Sequence, residues 1–190
     1  MYMKKLMFSI LCLAFGVFGY SQSTTFKPFK VDFAVGYAVP GGSGAKAGVL
    51  FAVEPKYAVN DNIAVGLRFE GAVVARATQD PNGDYVSGEV KAAASYLLTG
   101  DYYLNTNHFR PFVGAGLGIF KTAAASVDSN GDVVEGASAA KFGGTPRVGF
   151  EFGHFRMAVE YNVVGKTNSI NNNYLGIKLG FFAGGGRKSK

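Results

Sequence analysis

The sequence predicts an all-β fold: an eight-stranded, antiparallel, up-and-down transmembrane β-barrel. Three observations predict it. Residues alternate with a period of two, as in Ile63-Ala-Val-Gly-Leu-Arg-Phe-Glu-Gly71, where Ile63, Val65, Leu67 and Phe69 share one face and Ala64, Gly66, Arg68 and Glu70 the other. That period belongs to strands and not to helices. The pattern recurs in eight segments, with charges on one face and only apolar or small residues opposite, as expected of a barrel in a bilayer. The connections alternate long and short, as in a meander with two unlike ends.

Length and composition set the bounds. At 190 residues the chain has room for one domain with short appendages. Glycine is abundant at 27 residues. Beyond the N-terminus there is no run of about 18 apolar residues, so no transmembrane helix is expected. The formal charge is +6. Lys4, Lys5, Arg187, Lys188 and Lys190 lie at the two ends, which leaves the body nearly neutral. A nucleic-acid-binding body would keep its basic patch, so no nucleic-acid partner is expected.

Met1 to Lys5 is a short positive region, and Leu6 to Phe18 is apolar. Gly19 and Ser21 are the small residues of a cut before Gln22, so residues 1–21 read as a removed secretory signal peptide. Cys12 follows Leu11, where lipidation wants a small residue, and it leaves with the leader. The mature chain then holds no disulfide and no cysteine–metal site. Residues 22–29 are read as an N-terminal periplasmic segment, 30–183 as the barrel and 184–190 as a basic tail.

The segments follow in order. Lys30 to Val39 sets Val31, Phe33, Val35 and Tyr37 against Asp32, Ala34 and Gly36, and a Pro-Gly-Gly-Ser-Gly loop follows. Gly48 to Tyr57 sets Val49, Phe51, Val53 and Tyr57 against Glu54 and Lys56, ending at the Asn60-Asp-Asn62 turn. The third segment is Ile63 to about Ala75, and Arg76 to Gly88 is a longer loop. The fourth runs to Leu104, with Ala92, Ala94, Tyr96, Leu98 and Tyr102 against Glu89, Lys91, Ser95 and Asp101. The fifth, Phe109 to Phe120, sets Val113, Ala115, Leu117 and Ile119 against Arg110 and three glycines. The longest loop spans about Lys121 to Ser138. The sixth segment runs to Phe152 with Arg147 and Glu151 inward, and Gly153-His154 turns the chain. The seventh sets Phe155, Met157, Val159, Tyr161 and Val163 against Arg156, Glu160 and Asn162. An asparagine-rich loop precedes the eighth, where Leu175, Ile177, Leu179 and Phe181 oppose Gly176, Lys178 and Gly180.

The charged face is balanced. Asp32, Glu54, Glu70, Glu89, Asp101, Glu151 and Glu160 stand against Lys56, Arg68, Lys91, Arg110, Arg147, Arg156 and Lys178. Charges in a narrow lumen must be paired or wet, and equal numbers allow pairing. Arg68 and Glu70 are expected to find partners on neighbouring strands, among them Lys56, Glu54, Lys91 and Glu89. Aromatics mark both ends: Tyr57, Tyr102, Phe109, Phe152, Phe155 and Phe181 beside the short turns, Tyr37, Phe142 and Tyr161 towards the long loops. The competing architecture is a secreted soluble barrel of lipocalin type, with the apolar face inward around an apolar ligand.

Gly176-Ile-Lys-Leu179-Gly-Phe181 fits G-x-x-Φ-x-Φ, which resembles the C-terminal assembly signal of outer-membrane barrels; here Ala183 to Lys190 follow it. The mature chain is similar to the small eight-stranded barrels of the outer membrane protein A transmembrane domain and of outer membrane protein W. The resemblance implies a Gram-negative-type outer-membrane location and, as partners, outer-membrane lipid and the barrel assembly machinery. Short turns and both termini are then periplasmic and the long loops extracellular.

Enzymatic chemistry at the extracellular mouth would need a base, most often histidine. His108 and His154 fall instead in short turns. Asp80-Pro-Asn-Gly-Asp84 and Asp128-Ser-Asn-Gly-Asp132 lack the spacing and distal Glu of an EF-hand and read as turns. No catalytic residue, cofactor or metal site is assigned. The expected function is that of an integral outer-membrane barrel with a charge-paired, largely closed lumen. Phe112, Phe120 and Tyr103 point inward and help to block it. Its role is structural or surface interaction, with an extracellular ligand at the loops. The alternative is a narrow channel for small or apolar solutes.

Overall fold

The computed structural model describes residues 25–41, 45–79, 85–127, 133–135, 139–167 and 170–188. Its strands are β1 (Phe29–Pro40), β2 (Ala45–Ala58), β3 (Ile63–Gln79), β4 (Tyr85–Tyr103), β5 (Phe109–Val127), β6 (Val133–Glu135), β7 (Ala139–Phe152), β8 (Phe155–Asn162), β9 (Lys166–Thr167), β10 (Ile170–Asn171) and β11 (Tyr174–Gly184). Eight of them form the barrel. The order β4-β3-β2-β1-β11-β8-β7-β5 is closed by pairing of β4 with β5, and every pairing is antiparallel. β1 and β11 join the chain ends in unbroken register from Lys30↔Gly184 to Pro40↔Tyr174. Closure removes the free edges that an open sheet presents.

The short connections are built by their own side chains. Asn60 Oδ1 accepts from the amides of Asn62 (2.9 Å) and Ile63 (2.7 Å), and Asn105 Oδ1 from that of Asn107 (3.0 Å). Gly153 adopts φ 61°, the left-handed conformation that a two-residue hairpin turn demands.

The two faces are inverted relative to a soluble protein. Val35, Tyr37, Val49, Phe51, Leu67, Leu98, Leu117 and Phe142 stand exposed on the outer surface, while the charged residues of the opposite parity are buried within. This corrects the lipocalin alternative, which needs the apolar face inside. The aromatic residues beside the short turns, among them Tyr102, Phe152 and Phe181, are outward and exposed.

Three strands run further than their alternation indicates. β3 reaches Gln79, β4 begins at Tyr85 and β5 reaches Val127, where the short β6 pairs with it. About 9–11 tilted residues suffice to cross a bilayer, so 19-residue strands extend past it. Beyond the hydrocarbon both faces can meet water, so backbone pairing continues without the alternating pattern. Residues 76–79, 85–88 and 121–127 are therefore strand where the pattern suggested loop. Lys121, just past the alternating part of β5, is an exposed cation with Nζ 5.9 Å from the Tyr96 ring centre. The leader and both Asp-x-Asn-Gly-Asp segments lie outside the described residues.

The basic tail keeps Arg187 and Lys188 exposed but has backbone partners. It folds back across the short-turn end: Lys27 N donates to Gly186 O (2.9 Å), Lys188 N to Thr25 O (2.9 Å), and Phe26 bridges Arg187. This strap buries Phe26 over the barrel mouth.

Candidate functional site

The lumen is filled in layers. At the short-turn end Ala64, Tyr103, Phe112 and Ala158 pack together. Arg110 lies beside them, its Cζ 3.9 Å from the ring centres of both Phe26 and Tyr103, and its Nη2 donates to Asp61 O (2.8 Å).

Above this lies the larger charge layer. Arg147 makes a bidentate contact with Glu54, Nη1 to Oε2 at 3.0 Å and Nη2 to Oε1 at 2.8 Å. Its Nε donates to Asp101 Oδ1 (2.8 Å). The other Asp101 oxygen accepts from Lys56 Nζ (2.7 Å) and Arg156 Nη2 (2.8 Å). Lys56 Nζ is also 2.7 Å from Asp32 Oδ2. Glu151 Oε1 accepts from Lys30, from Arg156 and from the Tyr103 hydroxyl (2.7 Å).

A second layer follows towards the long loops. Arg68 donates to Glu160, and Lys178 Nζ lies 2.8 Å from Glu70 Oε2 and 2.7 Å from Glu160 Oε1. The Tyr174 hydroxyl donates to Glu70 Oε1 (2.7 Å). Thr145 Oγ1 and Asn162 Oδ1 (2.7 Å apart) each lie 3.3 Å from Arg68 Nη2. Ala38, Leu50, Ala72, Leu97, Phe120, Val164 and Tyr174 then form an apolar layer. A cavity of about 20 Å³ remains among Glu54, Arg147, Arg156, Glu160 and Lys178, room for about one water.

Twelve of the charges assigned to the lumen face thus meet in these layers or at the mouth. The side chains of Glu89 and Lys91 lie outside the described residues, so their pairing does too. The partners differ from the expected ones in one respect: among the described residues, several contacts reach across the barrel rather than along the wall. β2 and β7 are diametrically opposite, as are β3 and β8, yet Glu54 meets Arg147 and Arg68 meets Glu160. An eight-stranded interior is narrow enough for side chains to fill, so two long side chains span it. Lys30, Thr99 (whose hydroxyl donates to Glu54 Oε1), Thr145 and Tyr174 join the network without having been singled out; their parity with Asp32, Asp101, Arg147 and Gly176 was the available signal. Among the described residues, no three acidic or histidine side chains are gathered as a metal ion requires, because bases separate the acids.

The assembly-signal residues lie on the closing strand. Leu179 and Phe181 are outward and exposed. Gly176 faces inward, where an added Cβ would sit 3.0 Å from Glu160 Cγ. His108 packs edge-on against Phe152 (4.8 Å between ring centres) and His154 beside Phe182 (5.3 Å).

No protein-family model matches the chain, and no curated protein matches its sequence. Solved structures do match its fold. Neisserial surface protein A superposes with a TM-score of 0.54 at 17% identity, over 82% of this chain and 96% of that one. Ail, the attachment invasion locus protein of Yersinia pestis, gives 0.53 at 13% identity, over 83% and 99%. The outer membrane protein OprG of Pseudomonas aeruginosa gives 0.52 at 14%, over 86% and 99%. The chain has the fold of the small eight-stranded outer-membrane β-barrels.

Proposed function

We propose that this chain is an integral outer-membrane barrel with a closed lumen, serving a structural or surface-interaction role through the loops at its long-loop end. The outward apolar face supports insertion in lipid, with both termini and the short turns periplasmic. The barrels similar in fold include a surface protein and an attachment protein, which supports a non-enzymatic role at the cell surface.

The observation that carries the closed lumen is the stack of two ion-pair layers beneath an apolar layer. Ions entering such a stack would have to displace partners from buried charges, and an uncompensated buried charge costs about 3–5 kcal/mol.

Planar-bilayer recording tests this. The refolded mature chain should give no steady open-channel current. Large, steady currents would overturn the closed-lumen reading and favour the narrow channel for small or apolar solutes. Recovery of the native protein in a soluble fraction would overturn the location.

A further inference from the structure

A cavity of about 210 Å³ opens at the short-turn end, apart from the packed lumen. Its walls include Arg110, Arg187, His108, His154 and Glu151, with Gly185 and Gly186 of the strap. Its charge is unbalanced. Glu151 is the carboxylate in the wall, and its Oε1 already takes Lys30, Arg156 and the Tyr103 hydroxyl. Arg110, 8% exposed, reaches the other oxygen only at 3.8 Å. Its Nε and Glu151 Oε2 are both buried without a hydrogen-bond partner. The nearby Asp61 carboxylate accepts from Thr25 N (3.0 Å) and Thr25 Oγ1 (3.1 Å). Arg187 brings a second guanidinium, which holds Thr106 O at 2.8 Å.

A buried cation needs a counter-charge; Arg110 is given stacked rings, the Asp61 carbonyl and one long contact to Glu151, and its Nε stays unbonded. We propose that this cavity is a binding site for a small oxyanion, of phosphate class, held between the guanidinium groups of Arg110 and Arg187. Guanidinium matches a tetrahedral oxyanion by paired, charge-assisted hydrogen bonds. The two imidazoles add donors around it. The site needs neither a membrane orientation nor a closed lumen, so it stands apart from the function proposed above.

The test is a titration of inorganic phosphate into the folded barrel in nanodiscs, followed by the amide resonances of Asn107, Gly185 and Gly186. In neutral phosphatidylcholine discs the shifts should saturate. Arg187→Gln, in the exposed tail, should weaken binding about tenfold, the loss of one charge-assisted hydrogen bond. Lys27→Gln removes a charge from the same end but not from the cavity and should change nothing. Repetition in phosphatidylglycerol discs separates the sources: persistence of the response identifies a free anion, and its loss identifies a lipid headgroup already in the site. Shifts that fail to saturate in the neutral discs would overturn the proposal, as would equal weakening by Arg187→Gln and Lys27→Gln.

Discussion

Arg147 on β7 and Glu54 on β2 face each other across the full width of the barrel and meet through two hydrogen bonds of 3.0 and 2.8 Å. The same guanidinium also holds Asp101. One side chain thus ties together β7, β2 and β4.

Removing one partner should be costly. Arg147→Met leaves Glu54 and Asp101 short of a buried counter-charge, and a loss of about 3–5 kcal/mol is expected. Glu54→Gln combined with Arg147→Met should cost less than the two single changes added together, with a coupling of about 0.5–3 kcal/mol. Urea unfolding of the barrel in lipid vesicles measures all three, and strict additivity would argue against the contact.

Tyr103→Phe isolates a single hydroxyl. That group donates to Glu151 Oε1 at 2.7 Å and accepts from Lys30 Nζ at 2.9 Å. Its loss leaves buried charged groups under-bonded, at a cost of about 1–3 kcal/mol, read as a lower unfolding midpoint with the ring packing retained.

Two glycines should answer oppositely to alanine. At Gly149 a Cβ would lie 2.1 Å from Met157 O and 2.7 Å from Phe112 Cζ, so Gly149→Ala should lose about 1–3 kcal/mol by overpacking. Gly71 faces outward with nothing within 4 Å. Gly71→Ala should leave stability unchanged or raise it. Heat-modifiability on gels compares the pair.

Leu67 stands 53% exposed on the outer surface of β3. Leu67→Arg should impair folding into lipid by about 2–4 kcal/mol if this position is near the bilayer midplane. Folding yield into vesicles tests it; unimpaired folding would mean that this face does not meet hydrocarbon.

Arg68→Gln removes the guanidinium that holds Glu160 and lies beside Glu70. It should raise ion conductance above the wild-type background while lowering the unfolding temperature. A variant that loses stability without gaining conductance would assign closure to the apolar layer of Leu50, Leu97 and Phe120 instead.

The sequence by itself determined which face each residue takes. Side chains on a strand alternate strictly, so one correctly placed residue, such as Leu67 outside or Arg68 inside, sets its whole segment. Lumen membership of Asp32, Glu54, Lys178 and even Lys30 follows from parity alone. What only the tertiary structure decided is who meets whom. Glu54 and Arg147 lie 93 positions apart, and their meeting depends on the closing register of β1 against β11 and on the stagger around the barrel. No local pattern carries that information, because every inward acid is compatible with every inward base until the strands close. The strap was hidden for a similar reason: Phe26 and Arg187 come together only because barrel closure brings the two chain ends side by side.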